Sequence, residues 1–193
     1  RGPDRRPPPI VPVPGWTGEW DWTGELPFEQ HPRLLDPPQG YIVTANNRQA
    51  AGAIADLIVS EWAGGFRAHR IREMILAAGP VDADAVHRMQ LDVRDALAER
   101  YRDRAVAAAT RANLPERARL LGEWDLEARQ DSRAAALFYT WYERLRRASG
   151  ASLYGEADGG AVTIPRALMN EVLERRALAW VEGERARESF DSL

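Results

Sequence analysis

Along most of the chain apolar residues recur at spacings of three and four. From Ala50 to Trp62, Ile54, Leu57, Ile58 and Trp62 share one helical face, and Gly64-Gly65 marks its end. Arg67 to Ala78 groups Ile71, Met74, Ile75 and Ala78, and Gly79-Pro80 stops it. Asp82 or Asp84 can cap a long helix reaching Thr110, with Val86, Met89, Val93, Leu97, Tyr101 and Ala105 inward. Pro115 can open a short helix carrying Leu120, Leu121 and Trp124. Asp131 or Ser132 can cap the next, with Phe138, Trp141, Tyr142 and Leu145 inward. Ser149 to Gly160 reads as an exposed loop, and Pro165 opens a last helix bearing Leu168, Met169, Val172, Leu173 and Trp180. The opposite faces mix Arg with Asp and Glu, as a solvated helix surface does.

The first 40 residues break this pattern. They hold 10 of the 13 prolines, which remove backbone donors and disfavour both helix and central strand. Yet they carry Trp16, Trp20, Trp22 and Phe28 among Ile10, Val11, Val13 and Leu34, residues in which disordered segments are poor. The expected structure is an extended segment laid over a body, with its rings buried. Tyr41 to Ala45 is then a β-branched strand bounded by Gly40 and Asn46-Asn47. A single strand needs partners from elsewhere. Residues 1–47 thus form an extended lead and strand, and residues 48–193 a helical region.

Composition removes several classes of function. With 26 Lys+Arg, all of them Arg, against 29 Asp+Glu, the net charge is −3 and gives no electrostatic footprint for nucleic acid. There is no cysteine, so disulfides and cysteine-ligated metals are excluded. No apolar run approaches the ~18 residues that span a bilayer. No HExxH, GxSxG, GxGxxG or phosphate-loop motif occurs. His31, His69 and His87 are scattered, and His69 with Glu73 at i, i+4 fits a solvated helix face better than a pair of metal ligands. The clusters Arg67, Arg70, Arg72 and Arg100, Arg102, Arg104 are interrupted by acids. Asn46-Asn47, between strand and helix, reads either as a turn or cap, or as an amide N–H donor aimed into a site.

The wording of the lead resembles the β-chain of the penicillin acylases (penicillin amidases). VPGWTGEWDWTGELPFEQHP (Val13 to Pro32) and PPQGYIVTANN (Pro37 to Asn47) carry that family's Pro-Gly, Trp-Asp-Trp, Pro-Phe-Glu, Gly-Tyr-Ile and Asn-Asn elements in order. Trp62, Gly64, Gly65 and Arg67 with RIREMI, GEWD (Gly122 to Asp125) and DSRAAALFYTWYERL (Asp131 to Leu145) extend the likeness.

The resemblance implies an α+β chain, a fragment of an N-terminal-nucleophile αββα hydrolase. The fragment is mostly α-helical, with an extended Pro/Trp-rich lead and one short strand, and continues beyond residue 193. Such enzymes attack an amide with the hydroxyl of a β-chain N-terminal Ser whose own α-amino group is the base. Here residue 1 is Arg and the first Ser is Ser60, so the expectation is an internal β-chain fragment, inactive alone. Its partners would be the α-chain and the remainder of the β-chain, and its substrates N-acyl amides of the penicillin, cephalosporin or acyl-homoserine-lactone type. On the same resemblance Asn46 is the side-chain donor of the oxyanion hole, and Arg67 orients it or meets the substrate's polar end. Asp56 and the carbonyl of Pro9 match ligands of a structural calcium, an ion suited by oxygen donors. No organic cofactor is implied, and the location implied is periplasmic or secreted. The competing reading is a non-enzymatic helical interaction module with an extended aromatic arm.

Overall fold

The computed structural model describes residues 12–21, 24–59, 62–154, 156–157, 160–161 and 163–174, and it is mostly helical. The chain divides into two compact units, Arg1–Ala68 and His69–Leu193.

The first unit is largely irregular. Two short 3-10 turns, Gly15–Thr17 and Phe28–Gln30, each follow a proline. The rings of this lead are not buried as expected: Trp16 is 90% exposed and Phe28 63%, and Leu35 is 86% exposed beside them. Trp22 lies outside the described residues. Proline withholds the donors that would tie this segment into a sheet. Phe28 meets the His31 ring at 6.2 Å and the Arg33 guanidinium at 4.7 Å. Tyr41–Thr44 joins no ladder among the described residues, which corrects the expectation of a strand there. Among the described residues no strand lies alongside it in a ladder.

Helix α1 covers only Gly52–Ile58 and ends at extended Val59, short of the expected Trp62. No side chain caps its start, and seven residues make a marginal helix. The segment after it is instead drawn to Asn46, whose carbonyl accepts from the Ala63 N–H at 2.9 Å. Ser60 lies outside the described residues.

Beyond the boundary, which falls within α2 (Phe66–Ala78), the expected long helix to Thr110 is two helices, α3 (Ala83–Gln90) and α4 (Ala96–Arg111). Asp82 caps α3 by accepting from the Ala85 N–H. Residues 92–95 leave the helical path because they pair elsewhere. Asp92 takes a two-pronged contact from Arg70 (2.9 and 2.6 Å), and Arg94 forms an antiparallel bridge with Glu127. Asp95 then caps α4, accepting from Leu97 and Ala98, while its other oxygen takes the Tyr139 hydroxyl. Val86 and Val93, assigned to the inner face of one long helix, are consequently exposed.

Pro115 opens α5 (Pro115–Gly122) as expected, and the Ser132 hydroxyl accepts from the Ala135 N–H ahead of α6 (Arg133–Tyr154). The expected loop from Ser149 is instead the end of α6, followed by a small hairpin of β1 (Glu156–Ala157) and β2 (Gly160–Ala161). Ser149 is fully buried there, its hydroxyl 3.7 Å from the Met169 sulfur of α7 (Arg166–Glu174). Packing against α7 outweighs the weak helix preference of Ser149-Gly150. Trp180 lies outside the described residues.

The core of this unit is aromatic. Phe138 has no exposure and its ring lies 5.7 Å from those of Trp124, Tyr139 and Trp141 and 6.2 Å from Tyr142. The buried hydroxyls are satisfied: Tyr142 donates to Asn170 at 2.9 Å and Tyr101 to Glu174 at 3.4 Å. Burial pushes the pKa of both phenols up to about 12, so both stay neutral donors.

Candidate active site

The chemistry-bearing groups of the first unit meet at residues 45–49 and 63–67. Asn46 has φ +62°, the left-handed region, which Asn tolerates better than most residues. Arg67, the second residue of α2, sends one guanidinium nitrogen, Nη2, to two acceptors, the Ala45 carbonyl at 2.9 Å and Asn46 Oδ1 at 2.8 Å. A guanidinium has donors only, so the Asn46 amide must present its oxygen to it. Its Nδ2 therefore faces away from Arg67, and among the described residues it makes no hydrogen bond. Asn46 and Arg67 are both exposed.

Asn47 does the turn-making instead. Its Oδ1 accepts from the Ala45 N–H at 3.1 Å and from Gln49 Nε2 at 2.8 Å, and the same Gln49 nitrogen reaches the Asn47 carbonyl at 3.0 Å. Neither Asn caps α1, whose N-cap is Ala51. Asn47 bonds the local backbone, as the turn reading expects, and Asn46 Nδ2 makes no hydrogen bond among the described residues. The Ala63 latch and the Gln49 contact had no sequence signal.

This arrangement offers hydrogen-bond donors and the Arg67 guanidinium, beside a second guanidinium, that of Arg48, held on the Ala50 and Gly52 carbonyls at 3.1 and 3.3 Å. An amide N–H beside a guanidinium suits a developing alkoxide, a carbonyl oxygen or a carboxylate. The groups assembled here include no nucleophile and no base. Pro9 and the Asp56 side chain, matched to calcium, lie outside the described residues. Among the described residues no group of three or more His, Asp or Glu has metal-binding geometry.

The remaining candidates do not join this site. His31 contacts the Leu26 carbonyl at 3.2 Å, and His69 pairs with Glu73 at 3.2 Å, both exposed. Of the first arginine cluster, Arg70 is spent on Asp92 and Glu73. In the second, Arg100 meets Glu174 and Arg102 meets Asp103. The second unit has an open cleft of about 600 Å³ lined by Arg70, Met74, Met89 and Arg94 among others. It contains neither Asn46 nor Arg67, and Arg70 and Arg94 already pair with acids. Its size therefore does not make it the site of chemistry.

Preorganised hydrogen-bond donors are a feature that acyl-transfer enzymes use to meet a developing oxyanion. The profile of the family described as penicillin amidase matches residues 1–191, and the chain belongs to that family. Penicillin acylase 2 proenzyme of Pseudomonas sp. (strain SE83) is 37% identical over 142 residues, covering 71% of this chain and 18% of that protein. Penicillin G acylase of Escherichia coli is 40% identical over 77 residues, 39% of this chain and 9% of that protein. Acyl-homoserine lactone acylase QuiP of Pseudomonas aeruginosa is 35% identical over 83 residues, 43% of this chain and 10% of that protein. The chain thus spans less than a fifth of the length of these relatives. No helix among the described residues is long and apolar enough to cross a membrane.

Proposed function

We propose that this chain supplies the side-chain donor of the oxyanion hole in a hydrolase of N-acyl amides. One observation carries the reading: the 2.8 Å contact from Arg67 to Asn46 Oδ1, which commits Nδ2 to donation. In this reading a Ser hydroxyl outside this chain attacks the amide carbonyl and passes its proton to a base. Asn46 Nδ2 donates to the oxygen that becomes negative in the tetrahedral intermediate. Collapse expels the amine with a proton, and water then releases the acid from the acyl-Ser ester. Arg67 holds the donor in place and takes no proton.

The same reading places the chain in an αββα N-terminal-nucleophile body completed by an α-chain and further β-chain, in an exported enzyme with a structural calcium. The relatives' names put penicillins and acyl-homoserine lactones among the substrate classes to try.

The test is Asn46→Ala in the full-length protein, with α- and β-chains expressed as separate polypeptides so that no maturation step intervenes. Loss of one such donor lowers kcat by about 10²- to 10³-fold. The substrates are chromogenic phenylacetyl and long-chain acyl amides. Unchanged turnover by a normally folded variant would overturn the assignment.

A further inference from the structure

We infer that Asn47 and Gln49 are positioning residues that hold the backbone of Asn46 in the geometry its donor needs. The inference rests on the oxyanion reading of Asn46 and adds to it the parts that make the donor stand still. Asn46 sits at φ +62°, a conformation with an intrinsic cost for a side-chain-bearing residue. Something must over-determine it. On the carbonyl side, Arg67 takes the Ala45 oxygen and the Ala63 N–H takes the Asn46 oxygen. On the amide side, Asn47 Oδ1 reaches back across Asn46 to the Ala45 N–H, closing a ring around the residue that carries the donor.

Ala45 is buried, so its N–H has to find an acceptor within the protein. Asn47 is the acceptor it has. The amide of Asn47 would serve equally well sterically with its nitrogen turned inward, which would face donor to donor. Gln49 opposes that: its Nε2 donates to Asn47 Oδ1 and to the Asn47 carbonyl together, and with the weaker donation of Asn47 Nδ2 to the Arg48 carbonyl at 3.4 Å it sets which end of the Asn47 amide faces Ala45. The two amides therefore act in relay, Gln49 setting Asn47 and Asn47 setting the Ala45–Asn46 peptide.

The consequence is kinetic. A displacement of about 1 Å in a catalytic group can cost about 10²-fold in rate. Asn47→Ala is expected to lower kcat by about ten- to a hundredfold with KM little changed. Gln49→Ala, at an exposed residue that acts only through Asn47, is expected to lower kcat by a few-fold. Both are made in the separately expressed two-chain enzyme and read on whichever phenylacetyl or long-chain acyl amide the parent turns over. Each is also placed in an Asn46→Ala background.

A positioning role predicts that Asn47→Ala and Gln49→Ala have no further effect once the donor they position is gone. A merely structural role predicts the same factor in both backgrounds, and that result overturns the inference. So does an unchanged kcat in Asn47→Ala while Asn46→Ala loses activity, an outcome that leaves the oxyanion reading standing. Unchanged turnover in Asn46→Ala removes the oxyanion reading and this inference together. If Asn47→Ala does not fold, the Gln49→Ala pair alone decides by the same comparison.

Discussion

Replacing Arg67 separates two jobs that a guanidinium at this place could do. One is to orient Asn46, the other to hold the polar end of the substrate. Hydrogen bonds to charged groups are worth about 1.5–3 kcal/mol. The contact to Asn46 Oδ1 is made at 2.8 Å, and turning the amide over would replace it by donor facing donor. With RT about 0.59 kcal/mol, the wrong orientation is held below roughly one part in ten, and below about one in a hundred at the upper end.

Without Arg67 the two orientations approach equal weight, and about half the molecules present an oxygen to the oxyanion. That alone is about twofold in kcat. The same substitution also releases the Ala45 carbonyl, held at 2.9 Å, and with it the left-handed turn. Displacement of the donor adds up to about 10²-fold. Arg67→Ala is therefore expected to lower kcat by more than twofold and by less than Asn46→Ala does. Because both contacts come from one nitrogen, Arg67→Lys should recover part of the loss, with an ammonium of shorter reach serving both carbonyls. Steady-state kinetics on the full-length enzyme checks this. An unchanged kcat with a raised KM would refute the orienting role, since that pattern marks a group that binds ground and transition states alike.

Three further outcomes are expected. The isolated 193-residue chain should show no turnover of acyl-amide reporters and should self-associate on gel filtration, because Trp16, Phe28 and Leu35 stand in solvent. Phe138→Ala should open the second unit by about 3–5 kcal/mol, read as faster amide exchange in α4 and α6 of the full enzyme, since Phe138 is fully buried among four aromatic rings; exchange unchanged in those helices would contradict the packing described. The Arg70 guanidinium hydrogen-bonded to Asp92 holds its carboxyl below the ordinary 3.8, so the unfolded chain binds that proton more readily than the folded one. The pair's contribution is thus complete above about pH 4–5 and lost as pH falls through the lowered value, and Asp92→Asn should flatten that part of the acid-exchange profile of α2 and α3.

What the chain discloses by itself depends on how local the determining chemistry is. Pro115 and Pro165 start helices by fixing their own φ, and the Phe138, Trp141, Tyr142, Leu145 spacing lies within α6, so these features were readable. The break between α3 and α4 was not. It is made by Asp92 finding Arg70, 22 residues away, and by Arg94 bridging Glu127, neither of which leaves a mark on helical periodicity. The end of α6 misleads for the converse reason: Ser149-Gly150 has loop composition but is helical because Met169 and its neighbours bury it. At the candidate site, Asn46 and Arg67 stood out through the family's wording, whereas the division of labour between Asn46 and Asn47 is purely geometric.

The exposure of Asn46 and Arg67 has the same meaning as the exposure of the tryptophans. An oxyanion donor is effective where water is excluded, because in water a competing donor is always at hand and charges are strongly screened. An amide held in the right orientation but open to solvent has its geometry and lacks its dielectric. The aromatic lead has the complementary deficit, with the Trp16 and Phe28 rings mostly open to solvent. Cover supplied over this unit by the rest of a larger enzyme would meet both needs at once. On the proposed oxyanion role it would dehydrate the Asn46 amide that Arg67 holds at 2.8 Å, and it would bury the Trp16 and Phe28 rings.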